Sequence, residues 1–419
     1  MIVLVLLLFI LAFIGYYKAK NYITPEVLSP ASWGLVLLLY LTVDHGMYNI
    51  SDKTLFIIAL WNISLLTGIY FVRYTNIVTI KNKKYTTEFN YSIRKLYYLI
   101  TIFGFFPTLY IIYKQATSIN AGNLFFNLRM VNTGIIESEY SLGIFEYIIT
   151  FAFVSYMIEL FTYIKSKNKK RVIILFIINF IFAISTMAKT TFLFLFLSTL
   201  IVVAYNRKVS IKGIIITLLV IFFLMNSIQF LRTDTGDGTD NKREGVTNMF
   251  NTYVFGGIVA LDQIVNSSMK SKNEGQNSLV FIDNVKSKIG LRDKVPKEYV
   301  NSIAYEGYFY TPYPTNVYTV IGPFWLDYSY KGVIVFSFII GLFAGYFYKL
   351  AVRGVSWGII LNAYFLCVLI LQFFGEYIFT NMSYLLQLII LCFIAYKFYY
   401  KIIWRKSISY SPHIRESNI

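Results

Sequence analysis

Residue types that build many catalytic and metal sites are scarce in this chain, whose 419 residues include only two cysteines and two histidines. Cys367 and Cys392 both lie inside long apolar runs, so the sequence predicts no disulfide framework. No cysteine and histidine spacing fits zinc, and neither a DxD carboxylate cluster nor a GxxxxGKS or GxxxxGKT phosphate-binding loop occurs. The sequence therefore disfavours metal-dependent chemistry on soluble nucleotides.

Charged side chains are scarce too. They make up 14% of the residues, whereas hydrophobic residues make up 57%. A soluble domain of this composition would lack the polar surface needed to cover itself. The apolar residues come in blocks of about 17 to 25, which is long enough to cross about 30 Å of hydrocarbon as helices. The chain is therefore predicted to be an all-α polytopic membrane protein.

Eleven transmembrane helices are predicted, within a range of ten to twelve. The first block is read as a retained span rather than a signal peptide, because it has no basic start and no small-residue cleavage site. The predicted domains are helices 1–8 in residues 1–230, a large extracytoplasmic loop at 231–331, helices 9–11 in 332–400 and a cytoplasmic tail at 401–419. The predicted spans are 1–17, 33–50, 54–72, 96–114, 142–164, 172–187, 190–205, 213–230, 332–349, 355–374 and 382–400.

Basic residues are distributed unevenly between the two sides of the predicted membrane protein. Most of them fall in alternate connections, at 18–20, 73–95, 165–171, 207–212 and 349–353, and in the tail from residue 397. By the positive-inside rule these connections are cytoplasmic, which places the N-terminus outside and the C-terminus in the cytoplasm. The long outer loop carries equal numbers of basic and acidic residues. The net charge of +17 thus reflects membrane anchoring, and no nucleic-acid partner is expected.

The long outer loop, 231–331, is the expected working part of the protein, because the other connections are short. Its stretch 246–267 is apolar and interrupted by Gly256 and Gly257, and it is predicted to form a helix at the membrane interface. The stretch 270–301 is polar and is predicted to be soluble helix and loop. The stretch 310–332 has three prolines and many aromatic residues and is predicted to be non-helical.

Two interpretations of the aromatic residues in 310–332 are open. They can form an aromatic belt at the lipid headgroups, or they can stack on sugar rings. Under the second interpretation the candidate glycan-binding residues are Tyr310, Tyr313, Asn316 and Tyr318.

Three cations are predicted to lie at the outer membrane boundary on different elements. Arg129 stands in "NLFFNLRMVNTG", Lys189 in "STMAKTTFLF", and Arg232 follows a span directly. Gathering cations near hydrocarbon is costly unless an anion is present, and membrane glycolipids carry a diphosphate at that depth. The alternative is that each side chain only snorkels to water.

Two outer carboxylates are candidates for a general base. Asp327 is flanked by aromatic residues in "FWLDYSY", and Glu306 has a similar setting in "AYEGYFY". Deprotonating a sugar hydroxyl needs a carboxylate or imidazole within hydrogen-bond distance. Alternatively, Asp327 caps or anchors the next helix. His45 is interpreted as a packed polar residue.

The layout and two stretches of this chain resemble a known family. The stretches are "QFLRTDTG" (229–236) and "PTNVYTVIGPFWLDYSYKGVIVFSFIIGLFAGYFY" (314–348). They look like the Wzy-type oligosaccharide repeat-unit polymerases, also called O-antigen polymerases. In this family an arginine would be expected at the position of Lys189, and lysine lacks the bidentate guanidinium.

The resemblance implies a bacterial inner-membrane glycosyltransferase with a GT-C-like helical fold that needs neither metal nor cofactor. It would join undecaprenyl-diphosphate-linked oligosaccharides into O-antigen or capsule, with inversion at the anomeric carbon. A chain-length regulator and a flippase of the same pathway are the implied partners. Two alternatives remain: a flippase for lipid-linked oligosaccharides, and an O-antigen-ligase-like transferase. The ligases rely on an outer-loop histidine, which the long loop here lacks.

Overall fold

The computed structural model describes residues 1–75, 88–119, 122–132, 136–166, 169–206, 211–232, 248, 250–271, 273–291 and 309–409. Nearly all regular structure in these residues is helical. The helices are α1 (Ile2–Ala19), α2 (Pro25–Thr42), α3 (Asp52–Tyr74), α4 (Tyr91–Thr117), α5 (Leu124–Asn132), α6 (Glu146–Ser166), α7 (Lys169–Thr186), α8 (Lys189–Asn206), α9 (Ile211–Arg232), α10 (Gly257–Asn266), α11 (Val280–Lys288), α12 (Gly322–Val352), α13 (Ser356–Ile370) and α14 (Met382–Ser409). Strands β1 (Phe309–Tyr310) and β2 (Pro314–Thr315) pair antiparallel.

Several of these helices have the length and composition of membrane spans. Five described segments are long and apolar enough to cross a membrane: Ile2–Ala19, Asp52–Tyr74, Tyr91–Thr117, Gly143–Ile164 and Gly322–Val352. Shorter apolar helices cover Lys189–Tyr205, Leu219–Ile228, Ser356–Ile370 and Met382–Tyr396. The expectation of a helical, membrane-embedded protein is met at this level. The number of spans and the GT-C class stay predictions.

Two helices begin well before their predicted spans. Helix α2 starts at Pro25 rather than at residue 33, since a proline at the first helical position loses no hydrogen bond. Helix α12 starts at Gly322 rather than at residue 332, with Pro323 likewise in its first turn. The prediction that 310–332 is wholly non-helical is therefore wrong from Gly322 onward. At Ser329, with φ 52°, a kink divides α12 into a short helical segment and the longer apolar helix that follows it.

The chain forms two compact units. Unit 1 consists of Met1–Lys81, Thr235–Val352 and Asn362–Leu386. Unit 2 consists of Asn82–Asp234, Arg353–Leu361 and Gln387–Ile419. Helices α13 and α14 contribute to both.

Glycines set the distance between α3 and α12 in unit 1. A Cβ added at Gly68 would overlap the backbone of α12, and one added at Gly341 would overlap the carbonyl oxygen of Leu65. At Gly345 an added Cβ would lie 2.9 Å from the carbonyl oxygen of Ile69. Small residues allow helix backbones to approach closely, which is the main source of packing energy between helices in apolar surroundings. The two helices therefore depend on these glycines for their contact.

A buried polar network joins α2, α3 and the connection after α13. Gln372 accepts a hydrogen bond from the indole N–H of Trp61 at 3.2 Å, and its amide donates to the carbonyl oxygen of Ser29 at 2.8 Å and to the hydroxyl of Ser32 at 3.1 Å. The hydroxyl of Ser29 donates to Asn62 at 3.3 Å. Buried polar groups are costly unless hydrogen-bonded, so these side chains stabilise unit 1 by satisfying one another.

Basic residues meet at one end of unit 1. The ammonium of Lys18 lies 4.6 Å from the ring centre of Tyr70. Arg73, in the last turn of α3, forms an ion pair with the buried Glu26 at the start of α2. Lys349 donates to two carbonyl oxygens at the end of α3, both at 3.1 Å. The ends of α1, α3 and α12 and the start of α2 therefore lie together.

The long segment between α9 and α12 is part of unit 1. Helix α10 buries its apolar side chains there, including Ile258, Leu261 and Ile264. They pack against protein and are not available to lipid, which differs from the predicted interfacial helix. Gly257 allows this packing, because an added Cβ would lie 2.9 Å from the carbonyl oxygen of Phe373. The glycine pair does not interrupt the helix, since a π-helical turn, Thr252–Gly256, leads directly into α10.

Unit 2 is built around α4, α6 and α7. Its first apolar cluster consists of Phe105, Ala152, Ile178 and Phe182. The buried carboxylate of Glu159 lies 2.7 Å from the guanidinium of Arg94 and 3.6 Å from that of Arg171. The start of α4, the end of α6 and the start of α7 therefore meet at one end of this unit.

Candidate functional site

The three cations predicted to bind phosphate lie on elements that converge at one end of unit 2. Arg129 is on α5, Lys189 begins α8, and Arg232 ends α9. The short helix α5 packs Phe125 and Leu128 against a cluster drawn from α7, α8 and α9, whose buried members are Ala183, Met187, Phe192 and Ile228. We call this region the α5 end of unit 2.

Asn127 attaches α5 to the end of α4. It is buried, and its side-chain amide donates to the carbonyl oxygens of Ala116 at 3.0 Å and Ile119 at 2.8 Å. Arg129 lies two residues further along α5 and is half-buried. The position of Arg129 is thus set by the amide of a neighbouring residue.

Asn132 attaches α5 to the turn that carries Lys189. Its amide donates to the carbonyl oxygen of Thr186, the last residue of α7, at 2.8 Å. The turn is tight, with Met187 at φ 48°. Lys189 follows and is only 3% exposed. A side chain that merely snorkelled to water would be exposed, so burial argues against that alternative for Lys189.

Asn123 links the beginning of α5 to the end of α9. Its amide donates to the carbonyl oxygen of Leu231 at 3.4 Å. Arg232 is the next residue, and its side chain lies outside the part of the chain that the structure describes. The link therefore places the backbone of Arg232 at the same end of unit 2 as Arg129 and Lys189.

The α5 end of unit 2 suits an anion with several oxygens. Helix α8 starts there, and the first turn of a helix presents N–H groups and the positive end of the helix dipole. Arg129 and Lys189 bring two cationic side chains to this end, and the backbone of Arg232 lies there as well. The prediction that these three residues bind a diphosphate stays a prediction.

The carboxylate of Asp327, in unit 1, is held by the long segment. One oxygen accepts from the hydroxyl of Ser271 and from the side-chain amide of Asn277 at 3.0 Å. The other accepts from the backbone N–H and the hydroxyl of Ser278, at 2.8 and 2.6 Å, and the backbone N–H of Asn277 reaches both oxygens. A carboxylate offers about four acceptor sites, so this one is fully occupied.

This geometry favours the anchoring interpretation of Asp327. The carboxylate ties residues 271–278 to the start of α12, and the backbone N–H of Ser271 adds a bond to the carbonyl oxygen of Leu326 at 3.1 Å. To act as a general base, Asp327 would first have to exchange one of its donors for a sugar hydroxyl. Its catalytic role stays a prediction. Glu306, the other predicted base, lies outside the described residues.

Tyr318 packs against the first residue of α12. Its ring occupies the space where Gly322 would carry a Cβ, and it lies 6.1 Å from the ring of Phe309. Burial, and secondly the negative charge of Asp327, raise the pKa of Tyr318 to about 12. The phenol is therefore a neutral hydrogen-bonding group at ordinary pH.

The other predicted glycan-binding residues lie around the small β1–β2 hairpin. Tyr310 is exposed, and its carbonyl oxygen accepts from the amide of Gln263 at 2.8 Å. Tyr313 is half-buried, and its carbonyl oxygen accepts from the backbone N–H and the hydroxyl of Thr311, both at 3.0 Å. Asn316 is exposed. Backbone bonds thus fix the hairpin, while the side chains of Tyr310 and Asn316 are accessible.

Asp262 is a second carboxylate anchor, which the sequence reasoning missed. One of its oxygens accepts from the backbone N–H and the hydroxyl of Ser51, at 2.9 and 2.6 Å, and from the hydroxyl of Thr54 at 2.7 Å. These bonds attach α10 to the start of α3. A single acid within the apolar stretch 246–267 was the available signal, because a lone carboxylate in such a stretch needs partners.

Glu376 is the third carboxylate with a structural role. It lies in the non-helical connection between α13 and α14 and accepts from the backbone N–H groups of Ile378, Phe379 and Thr380, at 2.8, 3.0 and 2.7 Å. Burial raises the pKa of Glu376, and these three hydrogen bonds oppose the rise. In a helix, these three backbone N–H groups would donate to backbone carbonyl oxygens. In this buried connection the carboxylate of Glu376 accepts their hydrogen bonds instead.

His45 is packed, in agreement with its interpretation from sequence. One ring nitrogen, Nδ1, accepts from the backbone N–H of Met47 at 2.9 Å, and Nε2 lies 3.0 Å from the carbonyl oxygen of Tyr40. The ring also lies 5.1 Å from that of Phe255. Both nitrogens have structural partners, so His45 holds the chain between α2 and α3.

The predicted phosphate and glycan residues belong to different units. Arg129, Lys189 and Arg232 are in unit 2, whereas Asp327 and the residues of the hairpin are in unit 1. In the described ranges, no three His, Cys, Asp or Glu side chains are grouped as metal ligands. Comparison of the chain with protein-family models, with curated proteins and with solved structures gave no match.

Proposed function

We propose that this protein is a glycosyltransferase that uses a glycan carried on a polyprenyl diphosphate. It would polymerise undecaprenyl-diphosphate-linked repeat units into a surface polysaccharide on the outer face of the bacterial cytoplasmic membrane. The single observation that carries the proposal is the convergence of the elements bearing Arg129, Lys189 and Arg232 at the α5 end of unit 2.

The diphosphate is both the membrane anchor and the leaving group in this reaction. Its negative charge grows as the bond to the sugar breaks, so preorganised cations stabilise the transition state more than the ground state. We assign this role to Arg129, Lys189 and Arg232. In this scheme the cationic side chains perform the charge stabilisation for which many nucleotide-sugar transferases use a divalent metal.

The bond changes are those of an inverting transfer. The hydroxyl of the acceptor glycan attacks the anomeric carbon of the donor, a new C–O bond forms, and the bond between that carbon and the diphosphate oxygen breaks. The proton of the hydroxyl passes to a base, and the polyprenyl diphosphate departs with the bonding electron pair. Asp327 and Glu306 are the predicted bases. Asp327 would first have to lose one of the hydrogen bonds that its carboxylate accepts, so that the sugar hydroxyl can take that place.

We assign sugar contacts to Tyr310, Tyr313, Asn316 and Tyr318. Aromatic faces stack on the apolar faces of sugars, and the exposed Tyr310 is the most accessible of the three tyrosines. The neutral phenol of Tyr318 can donate a hydrogen bond to a sugar oxygen but does not act as a base at ordinary pH.

The proposed orientation places the N-terminus outside and the C-terminus in the cytoplasm. The grouping of Lys18, Arg73 and Lys349 at one end of unit 1 supports it, because the positive-inside rule assigns such an end to the cytoplasm. Arg94 and Arg171 are likewise grouped at one end of unit 2. The proposed cellular partners are a flippase and a chain-length regulator.

Deletion of the gene tests the function. We expect the cells to display surface glycan of one repeat unit only, and a plasmid copy to restore long chains. Long chains in the deletion strain would refute the proposal. Accumulation of lipid-linked units in the cytoplasmic leaflet would instead indicate the flippase, and polymer that fails to reach its final acceptor would indicate the ligase-like transferase.

A further inference from the structure

Helix α11, in the long segment, has an apolar side that is half-buried at its start and exposed towards its C-terminal end. Phe281, Val285 and Ile289 follow one another at intervals of four, which places them on one side of the helix, with Ile282 beside them. Val285 and Ile289 are exposed, as is Leu291 just after the helix at 75%. Three exposed aliphatic side chains so close together form more apolar surface than a polar loop normally leaves in water.

Lysines border this apolar side. Lys286 and Lys288 lie in the last turn of α11, on either side of the row that Val285 and Ile289 form. Asp283 points the other way and is buried in the protein. An apolar row with lysines along its edges is the pattern of a helix that lies in a membrane surface, where the lysines reach the headgroups.

The attachment of α11 to α12 places it at the level of the membrane surface. Residues 271–278, which lead into α11, are bound to Asp327. Asp327 is four residues before Lys331, after which the apolar run of α12 begins. A kink at Ser329 divides α12, and the rings of Phe324 and Phe336 stack at 4.4 Å, so the segment before the kink folds back along the segment after it. Asp327 lies just before the kink, close to the start of this apolar run, so the residues bound to Asp327 lie near the level at which the run enters the membrane.

We propose that α11 and the residues up to Leu291 lie on the membrane surface. Val285, Ile289 and Leu291 enter the boundary between headgroups and acyl chains, and Lys286 and Lys288 bind the phosphates of anionic phospholipids. On α12, Ile334 and Val335 are exposed as well. This inference does not depend on the proposed enzyme activity. The part of the long segment that contacts the membrane surface is then 280–291, whereas the sequence predicted 246–267.

Fluorescence quenching in vesicles tests the contact. Ile289→Cys is labelled with an environment-sensitive fluorophore in the full chain, and Asn284→Cys, exposed on another side of the same helix, is the matched control. The native Cys367 and Cys392 are buried and so do not react in the folded protein. The proteins are reconstituted into phosphatidylcholine vesicles with or without phosphatidylglycerol.

We expect a doxyl-labelled lipid to quench the label at 289 several-fold more than the label at 284, and aqueous iodide to show the reverse. Equal iodide quenching at both positions would overturn the proposal. Protection of the label at 289 from both quenchers would also overturn it, because a protein would then cover this side of α11.

A charge-changing variant tests the headgroup contact separately. We expect phosphatidylglycerol to strengthen lipid quenching at position 289, and the pair Lys286→Gln and Lys288→Gln to remove that increment while quenching in phosphatidylcholine persists. If phosphatidylglycerol has no effect on the parent protein, the assignment of Lys286 and Lys288 to anionic lipid is wrong. Size-exclusion profiles identical to the parent establish that the variants are folded.

Discussion

The long segment of unit 1 and the α5 end of unit 2 use polar side chains in opposite ways. Charged groups attach the long segment, since Asp262 within it and Asp327 on α12 accept the hydrogen bonds that join it to α3 and α12. At the α5 end neutral amides do this, since Asn127 and Asn132 hold α5 to its neighbours. The cation Arg129 is carried on an element that other side chains position.

This difference predicts where substitutions will separate folding from activity. Removing a carboxylate that attaches the long segment leaves several donors without an acceptor, which costs stability. Removing a cation from the α5 end leaves the amide bonds of the scaffold in place. The predictions below run from the largest expected effect to the smallest, beginning with the helix packing on which the long segment rests.

Gly341→Val should prevent unit 1 from folding. The added side chain would overlap the carbonyl oxygen of Leu65 on α3, and a backbone atom cannot move aside as a flexible side chain can. The measurement is the yield of monodisperse protein in detergent by size-exclusion chromatography. Gly34→Ala is the control, because its Cβ would meet neighbours at an ordinary 3.4 Å. A normal yield of Gly341→Val would show that α3 and α12 are not in close contact.

Asp327→Ala should destabilise the protein by about 2 to 4 kcal/mol, because the donors on Ser271, Asn277 and Ser278 lose their shared acceptor. We expect faster tryptic cleavage after Lys270 and a lower Tm, with Asp327→Asn intermediate. Asp44→Ala removes an exposed acid and is the control. If Asp327→Asn is inactive but keeps the parent Tm and cleavage rate, Asp327 is the base and not an anchor.

Arg129→Ala should lower polymerisation about 100-fold, the usual effect of removing one charge-stabilising donor, while the amides of Asn127 and Asn132 still hold α5. Arg129→Lys should retain part of the activity, since a point charge remains. The measurement is the glycan ladder of the complemented deletion strain, and Lys212→Ala, an exposed cation at the start of α9, is the control. A full-length ladder from Arg129→Ala would remove this residue from the phosphate site.

Tyr318→Phe should change stability only at high pH. The raised pKa means that the folded protein favours the neutral phenol, so this group contributes stability below its ordinary pKa of 10.0 and loses it as the pH rises towards about 12. The Tm of the parent should therefore fall more steeply than that of Tyr318→Phe between these values. Parallel curves for the two proteins would show that the phenol of Tyr318 is not buried beside Asp327.

The helices themselves were predictable from the sequence, because each needs an apolar run of sufficient length and little else. Their ends were less predictable. Helices α2 and α12 both start with a proline in the first turn, where a proline reads as a helix breaker although it costs nothing there. Gly257 was interpreted as a break for a similar reason, whereas it allows close packing against Phe373.

The candidate phosphate site was predictable only as a list of residues. Arg129, Lys189 and Arg232 were chosen because cations near hydrocarbon need an anion, but their spacing along the chain does not show that their elements meet. The amides of Asn123 and Asn132 decide that, and asparagine in a loop gives no such signal by itself. The anchoring role of Asp327 likewise depends on Ser278, which is 49 residues away.

The sequence alone determined the class of this protein, which is an apolar helical chain suited to a membrane. The length of each apolar run and the positions of the charged residues are properties of consecutive residues, so they can be read without knowing the fold. Only the tertiary structure decided which carboxylates are anchors, which apolar helix is buried and which is exposed, and which cation-bearing elements meet. Hydrogen bonds and packing between distant residues settle those questions, since whether a polar or apolar side chain is satisfied depends on the neighbours that the fold brings to it.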